Sequence, residues 1–405
     1  MIVLRRSIGM RIRSQVPRGR RSQMFANRGL DRLARRGSAH DDRDAQDPLG
    51  EASEMATVRT KRAAALGLIG LGAGFTTVAV LIPTYAAPKL VKTPLSIDAP
   101  TVATDNNATL LDMGAIDTGK VVINSGVAVT VQQYVTGEEP SNSDIVTIQS
   151  TQKVTRDDRE GDAAVVSANV YRVTVDRATA MPVQDPPATI QRYADKPGEE
   201  VVAEGVNFKF PFHLQKQSYP YFDTLARETY PIDFVETTQI DGTEVFHFSH
   251  TIDPMDTGGK LTLPASVWGL SGDPDAQVLM HRFYTAKRDL WVEPVTGAIV
   301  AGNQYARQYY ARTADDPESV TIVEMAPALD AQTKSEQLAQ AVRYKRLIVW
   351  GTQYAPMGLG AVGVIALLGG AAMLWRNRQI DSTAGSDVQV AAPHEDYDRI
   401  STATH

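Results

Sequence analysis

Two stretches without a single charged residue set the limits on this chain. Ala63 to Pro88 supplies 26 such residues, including LGLIGLGAGFTTVAVLI, and Leu347 to Trp375 supplies 29, densest in AVGVIALLGGAAMLW. A helix rising about 1.5 Å per residue crosses about 30 Å of hydrocarbon in about 20 apolar residues, so each stretch is long enough to span a bilayer. Helices buried in a soluble core rarely run so far without a charge. Trp350, Tyr354 and Trp375 lie near the ends of the second stretch, and aromatic rings favour the headgroup interface.

Orientation follows from the basic residues beside the spans. Arg59, Lys61 and Arg62 precede the first, and Arg376 and Arg378 follow the second. Arg343, Lys345 and Arg346 compete from the other side, but they belong to a 258-residue segment, Lys89 to Arg346. Segments that long translocate largely regardless of charge. The expected arrangement is a plasma-membrane protein with two spans, both termini cytoplasmic and a large domain outside. Its parts are a basic head (1–62), a first span (63–88), an extracytoplasmic domain (89–346, with a helix over 334–346 leading into the membrane), a second span (347–375) and a polar tail (376–405). The first span also imitates a signal peptide, with a charged region after Met55 and small residues at Thr84-Tyr85-Ala86. The 54 residues before Met55 favour a retained anchor.

Charge divides the same way. Residues 1–62 hold 15 Lys+Arg against 7 Asp+Glu, and residues 63–405 hold 26 against 40. The head lacks apolar periodicity and is expected to be disordered, either touching anionic headgroups or simply solvated; the tail is expected to be disordered too. The acidic outer domain disfavours nucleic acid. There is no cysteine, which excludes thiol catalysis, CxxC redox chemistry, Cys-ligated zinc and disulfides.

The outer segment reads mainly as strands. In GVNFKFPFHL, Val206, Phe208, Phe210, Phe212 and Leu214 share one parity, the mark of a half-buried strand with Pro211 at an edge or bulge. Asp233–Ile240, Asp241-Gly242 and Thr243–Ile252 form a hairpin pattern with the strongest short turn signal. LWVEPVTGAIVAG from Leu290 gives another, turning at Pro294 and Gly297. Further strands are expected from Lys120, Asp144, Val165 and Thr321, and a short helix or turn over Ser218–Thr229. The fold class is therefore a β-rich (α+β), mostly antiparallel extracytoplasmic domain between two transmembrane helices.

FKFPFHLQKQSYPYFDTLARETYPIDF from Phe208, followed by Asp241-Gly242 and Phe246-His247-Phe248, resembles the actinobacterial membrane family of PorA-type porins, also described as a domain of unknown function. YRVTVDRATAM from Tyr171 and LWVEPVTGAIV fit the same pattern, and the resemblance covers residues 63–376. It implies an envelope protein whose outer domain is similar in plan to class B scavenger receptors, barrel-like with an apolar tunnel for lipid. It brings no catalytic residues with it.

The residues themselves point away from catalysis. His247 and His250 lie three apart, so on a strand they face opposite ways and cannot chelate a metal. No GxSxG elbow is present, and Asp176, Arg177 and Asp223 fit a solvated turn or a structural Asp–Arg pair. Neither an enzyme activity nor a cofactor is expected.

Residues 208–234 hold eight aromatics in 27 positions, against 7% for the whole chain. They fit an ordinary core, or a core whose centre is a cavity lined by Phe208, Phe210, Phe212, Tyr221 and Phe222 as lipid-binding residues. The leading expectation is a domain that binds or transfers a membrane lipid or lipid-linked glycan. The alternative is a non-enzymatic scaffold that partners envelope-synthesis membrane proteins, with Gly70, Gly74, Gly363, Ala366 and Gly370 allowing close helix approach, either to those partners or between the protein's own spans. A porin ranks third, because outer-membrane pores cross with strands and neither span carries an ionisable residue to line a pore.

Overall fold

The computed structural model describes residues 48–116 and 118–384. Of the head (1–62) and tail (376–405) expected to be disordered, residues 48–62 and 376–384 are helical instead, and residues 1–47 and 385–405 lie outside the described residues. Two compact units divide between Thr57 and Val58, and the second carries every described strand.

Helix α1 (Pro48–Leu81) passes through a π-helical turn (Ile82–Ala86) into short α2 (Ala87–Leu90). Then come β1 (Asp98–Leu111), α3 (Met113–Ile116), β2 (Ile123–Glu138), β3 (Ile145–Arg156), β4 (Val165–Asp176), β5 (Ala188–Gln191) and β6 (Glu199–Val201). The second half holds β7 (Tyr219–Asp223), β8 (Glu228–Ile240), β9 (Thr243–Pro264), α4 (Ala265–Trp268), β10 (Gln277–Glu293) and β11 (Ala298–Ala311). It ends with β12 (Val320–Met325), β13 (Ala328–Leu329), α5 (Ala331–Val349), a second π-helical turn (Trp350–Tyr354) and α6 (Ala355–Ala384).

The strands form one antiparallel sheet in the order β6-β5-β4-β3-β2-β1-β12-β11-β10-β9-β8-β7, with β13 beside β1 and β11. Its two ends curl until they meet. Phe222 on β7 is fully buried among Val146, Ile148, Tyr171, Val173 and Ile190 of β3 to β5. Val206, just beyond β6, bridges Tyr221 of β7 in parallel, and the sheet closes into a small barrel. Register shifts along β1, β9 and β10 supply the bends that closure requires. The turn at Asp241 (φ 47°) and Gly242 (φ 73°) has both central residues left-handed, the twist a two-residue hairpin favours.

Two local expectations need correction. Of the helix or turn expected over Ser218–Thr229, the turn is present, between the strands of the β7–β8 hairpin, and the helix is not: Tyr219 pairs with Ile232 and Tyr221 with Tyr230. Asp223 accepts the Leu225 and Ala226 amides at 2.8 Å each, which turns the chain there. Nor is Val206–Leu214 a strand. The segment leaves β7 after Val206 and crosses to the β10–β11 turn, where the Phe210, His213 and Leu214 amides donate to Gly297, Val295 and Pro294 carbonyls. No single neighbour runs alongside, so no ladder forms. The crossing is so close that a β-carbon at Gly297 would lie 2.1 Å from the Phe210 carbonyl oxygen.

The two apolar helices, Ala56–Leu90 and Ala331–Gln379, are each long enough to cross a membrane and mostly exposed along their apolar lengths. They pack on each other through small residues. A β-carbon at Gly363 would sit 2.6 Å from Thr76 Oγ1 and 2.9 Å from the Gly72 carbonyl, and one at Gly370 would sit 2.9 Å from the Ala65 carbonyl. Gly70 and Gly74 have nothing within 4 Å of such a position, so the first helix contributes Gly72 rather than that pair. Close backbone approach of this kind is how helices associate in lipid, where burial supplies no drive.

Candidate functional site: a cavity between the barrel and the membrane helices

A cavity of about 1010 Å³ lies within the barrel and runs to the barrel-side ends of both long helices. Its wall includes Val131, Gln133 and Val135 of β2, and its floor includes Ile82, Ala86, Ile348 and Gly351 at the two π-helical turns. Amides recur around it. Gln133 and Gln152 are cross-strand partners, and Asn207, Asn303, Gln304, Gln337 and Gln340 also face it. Gln133 donates to Ser150 Oγ at 2.8 Å, and Gln304 accepts from Arg288 Nε at 3.2 Å.

Its charged groups are unequally matched. Arg288 is buried, and its guanidinium donates to Asp223 Oδ2 at 2.6 Å. Asp223 takes a further bond from Tyr284 Oη at 3.2 Å. Burial pushes the Asp223 carboxyl up, but the Arg288 charge and the Ala226 and Leu225 amides outweigh it, leaving the group below its ordinary range. His250 Nε2 lies 3.1 Å from Arg288, and burial together with that charge pushes its pKa down to about 4. Lys92 pairs with Asp144 at 2.7 Å, while Asp98 is exposed. Among the described residues, Lys209 makes no ion pair. Its ammonium donates to the Phe210 carbonyl at 2.8 Å, lies 3.4 Å from the Phe212 ring centre, and is pushed down to about 7 by burial.

The five aromatics singled out from the sequence divide. Phe208, Phe212 and Tyr221 line the cavity. Phe210 is fully buried against Phe248 (ring centres 5.0 Å apart) and Tyr219, and Phe222 lies in the β3–β5 core. Phe208, Phe210 and Phe212 therefore share no face. The amides and Lys209 were missed, although Gln133 shares its parity with Val131 and Val135. His247 and His250 separate as strand geometry demands: His247 stacks on Trp291 and bonds Asp289 at 3.0 Å. Among the described residues, no cluster of His, Asp and Glu is placed to hold a metal ion.

A closed antiparallel barrel that encloses a large cavity, set between two apolar helices, defines a membrane-associated β-barrel protein. Residues 64–372 match the family described as Porin PorA, and the chain belongs to that family. It is 28% identical over 377 positions to a Porin PorA of Corynebacterium amycolatum, covering 76% of this chain and 97% of that protein. It is also 28% identical over 405 positions to a Porin PorA of Corynebacterium resistens, covering 79% and 98%. These matches overturn the expectation of a lipid-binding or lipid-transferring domain: the family and both relatives are named as porins.

Proposed function

We propose that the chain is a porin-type, non-enzymatic channel component, with the barrel as a water-filled vestibule outside the membrane. The carrying observation is the large cavity, with amides set into a mainly apolar wall, that continues from the barrel interior to the outer ends of both membrane helices. Lys153, Glu236 and Glu244 stand exposed on the strands, so the barrel wall suits water rather than lipid. The helices must then carry the passage across the hydrocarbon. Two helices packed through Gly72 and Gly363 leave no bore between them, so several copies are needed to enclose one. The exposed flanks of the helices, including Leu66, Leu71, Ile365 and Leu368, are free for that assembly. Arg59, Lys61, Arg62, Arg376 and Arg378 support cytoplasmic ends and an outer barrel in the plasma membrane.

Purified full-length protein in planar bilayers tests the reading. Stepwise conductance is expected, with smaller steps after Gln133→Trp. Absence of steps, together with no solute flux into proteoliposomes, would reject it.

A further inference from the structure

Arginines cross the seam where the two ends of the sheet meet. Arg192 follows β5 and reaches the Leu225 carbonyl in the β7–β8 turn at 3.5 Å. Arg227, the last residue of that turn, pairs back across the seam with Glu199 of β6 at 2.6 Å. Arg282 on β10 completes the group. It donates to Gln308, the cross-strand partner of Tyr284, so its side chain lies on the Tyr284 face of the sheet. Tyr284 shares an apolar cluster with Leu225 and Ala226 and bonds Asp223, which sets Arg282 beside the same turn. Lys345 of α5 pairs with Glu293 at the far end of β10, so Arg282 occupies the half of the strand remote from the membrane helices.

Three guanidiniums here share one carboxylate. Among the described residues neither Arg192 nor Arg282 makes an ion pair. Glu228 takes the Tyr230 hydroxyl at 2.9 Å, and Asp256 bonds His281 at 2.8 Å. Desolvation, followed by the like charges of Arg227 and Arg282, lowers the Arg192 pKa, and Glu199 only partly offsets them. Like charges held together without a counter-charge are costly, so the arrangement suits a ligand that supplies one. The group is also accessible. Nη2 of Arg227 and Nη1 of Arg282 have no hydrogen-bond partner among the described residues and are not closed off from solvent, and Arg192 is exposed. A guanidinium fork matches phosphate oxygens, and a phosphate monoester carries a charge of about −1.5 to −2 at pH 7. That is close to what Arg192 and Arg282 leave unbalanced, whereas a carboxylate brings half as much.

We propose that Arg192, Arg227 and Arg282 bind one phosphate group at the barrel seam, carried by a water-soluble solute as the free ion or as a monoester. All three residues belong to the barrel, so the site stands whether or not the protein conducts.

The test titrates detergent-purified full-length protein with inorganic phosphate, with sodium chloride holding the ionic strength constant. Calorimetry should show saturable binding of one phosphate per chain, and the melting temperature should rise by about 2–4 °C at saturation. Arg192→Gln alters an exposed side chain and should weaken binding about tenfold, as should Arg282→Gln. Arg192→Lys keeps the charge but not the fork and should recover only part of the loss. Phosphate also stabilises proteins in general by its exclusion from their surfaces, so the double variant Arg192→Gln with Arg282→Gln supplies the baseline. Glycerol 2-phosphate separates the two sources. A response equal to that of the free ion supports an ester as the ligand, and a response to inorganic phosphate alone supports the free ion. A melting rise as large in the double variant as in the wild type, or no saturable heat with either compound, would overturn the proposal.

Discussion

Lys345, on the helix that enters the membrane, reaches Glu293 at the end of β10, with Nζ 3.1 Å from Oε1. Glu293 is fully buried and also accepts the Val295 amide at 3.2 Å, the Thr296 amide at 2.9 Å and the Thr296 hydroxyl at 2.7 Å. One carboxylate thus shapes the β10–β11 turn and fastens it to α5. Leu338 and Ala341 of α5 pack beside it on Val245 and Val300 of the barrel. Because α5 continues through the π-helical turn into α6, this contact joins the cavity wall to the second membrane helix.

Lys345→Met should lower stability by about 1–3 kcal/mol, the usual worth of a hydrogen bond to a charged group. The loss stays moderate because three donors still hold Glu293. Lys345→Arg should recover most of it. Urea midpoints of the two variants in detergent check this; equal midpoints for Lys345→Met and wild type would remove the fastening role.

The Asp223–Arg288 pair makes a stronger demand. Asp223→Ala leaves a buried guanidinium without its partner and should cost about 3–5 kcal/mol. The acid limb follows from the same contact. The Asp223 carboxyl is held below its ordinary range, so its contribution is complete above about pH 4 and fades as pH falls through the lowered folded value. Asp316, held low mainly by its hydrogen bonds from Arg312, fades in the same direction. Melting temperature should therefore fall from pH 5 towards pH 2, and Asp223→Asn should shallow that fall without abolishing it.

Much of the barrel was legible because its longest strands alternate and its hairpins carry Asp241-Gly242 or Pro294 with Gly297. The cavity was not. Gln133 occupies an inward position between Val131 and Val135, where a polar residue reads as an interruption of the pattern. Asn207 and Lys209 alternate with aromatics and so read as a solvent face, yet both line the cavity. The phase in FKFPFHL is real as composition, but its three aromatics have different neighbours because the backbone crosses between sheet ends. That crossing depends on partners far along the chain, and local periodicity holds no record of them.

Helix pairing can be read by a disulfide, since the chain has no cysteine to confuse the result. A β-carbon at Gly360 would lie 3.5 Å from the Ala79 β-carbon, at the short end of the disulfide range. Ala79→Cys with Gly360→Cys should crosslink within one chain on mild oxidation, shifting mobility without doubling mass. Gly363→Leu in that background should reduce the yield severalfold. A crosslinked dimer as the main product would assign the Gly72–Gly363 contact to different copies.

Phe210 and Phe212, two residues apart, should separate stability from passage. Phe210 is fully buried between Phe248 and Tyr219, so Phe210→Ala should cost about 3–5 kcal/mol. Phe212 already borders open space and makes its main contact with the Lys209 ammonium. Phe212→Ala should cost only about 1–2 kcal/mol, combining part of a ring's burial with a cation–π contact. If the cavity belongs to the conducting path, Phe212→Trp narrows it and should reduce single-channel conductance while leaving the melting temperature nearly unchanged. Phe210→Ala should do the reverse, lowering the melting temperature while surviving channels keep wild-type conductance. Equal conductance in Phe212→Trp and wild type would place the passage elsewhere, even if the stability difference between the two alanine variants holds.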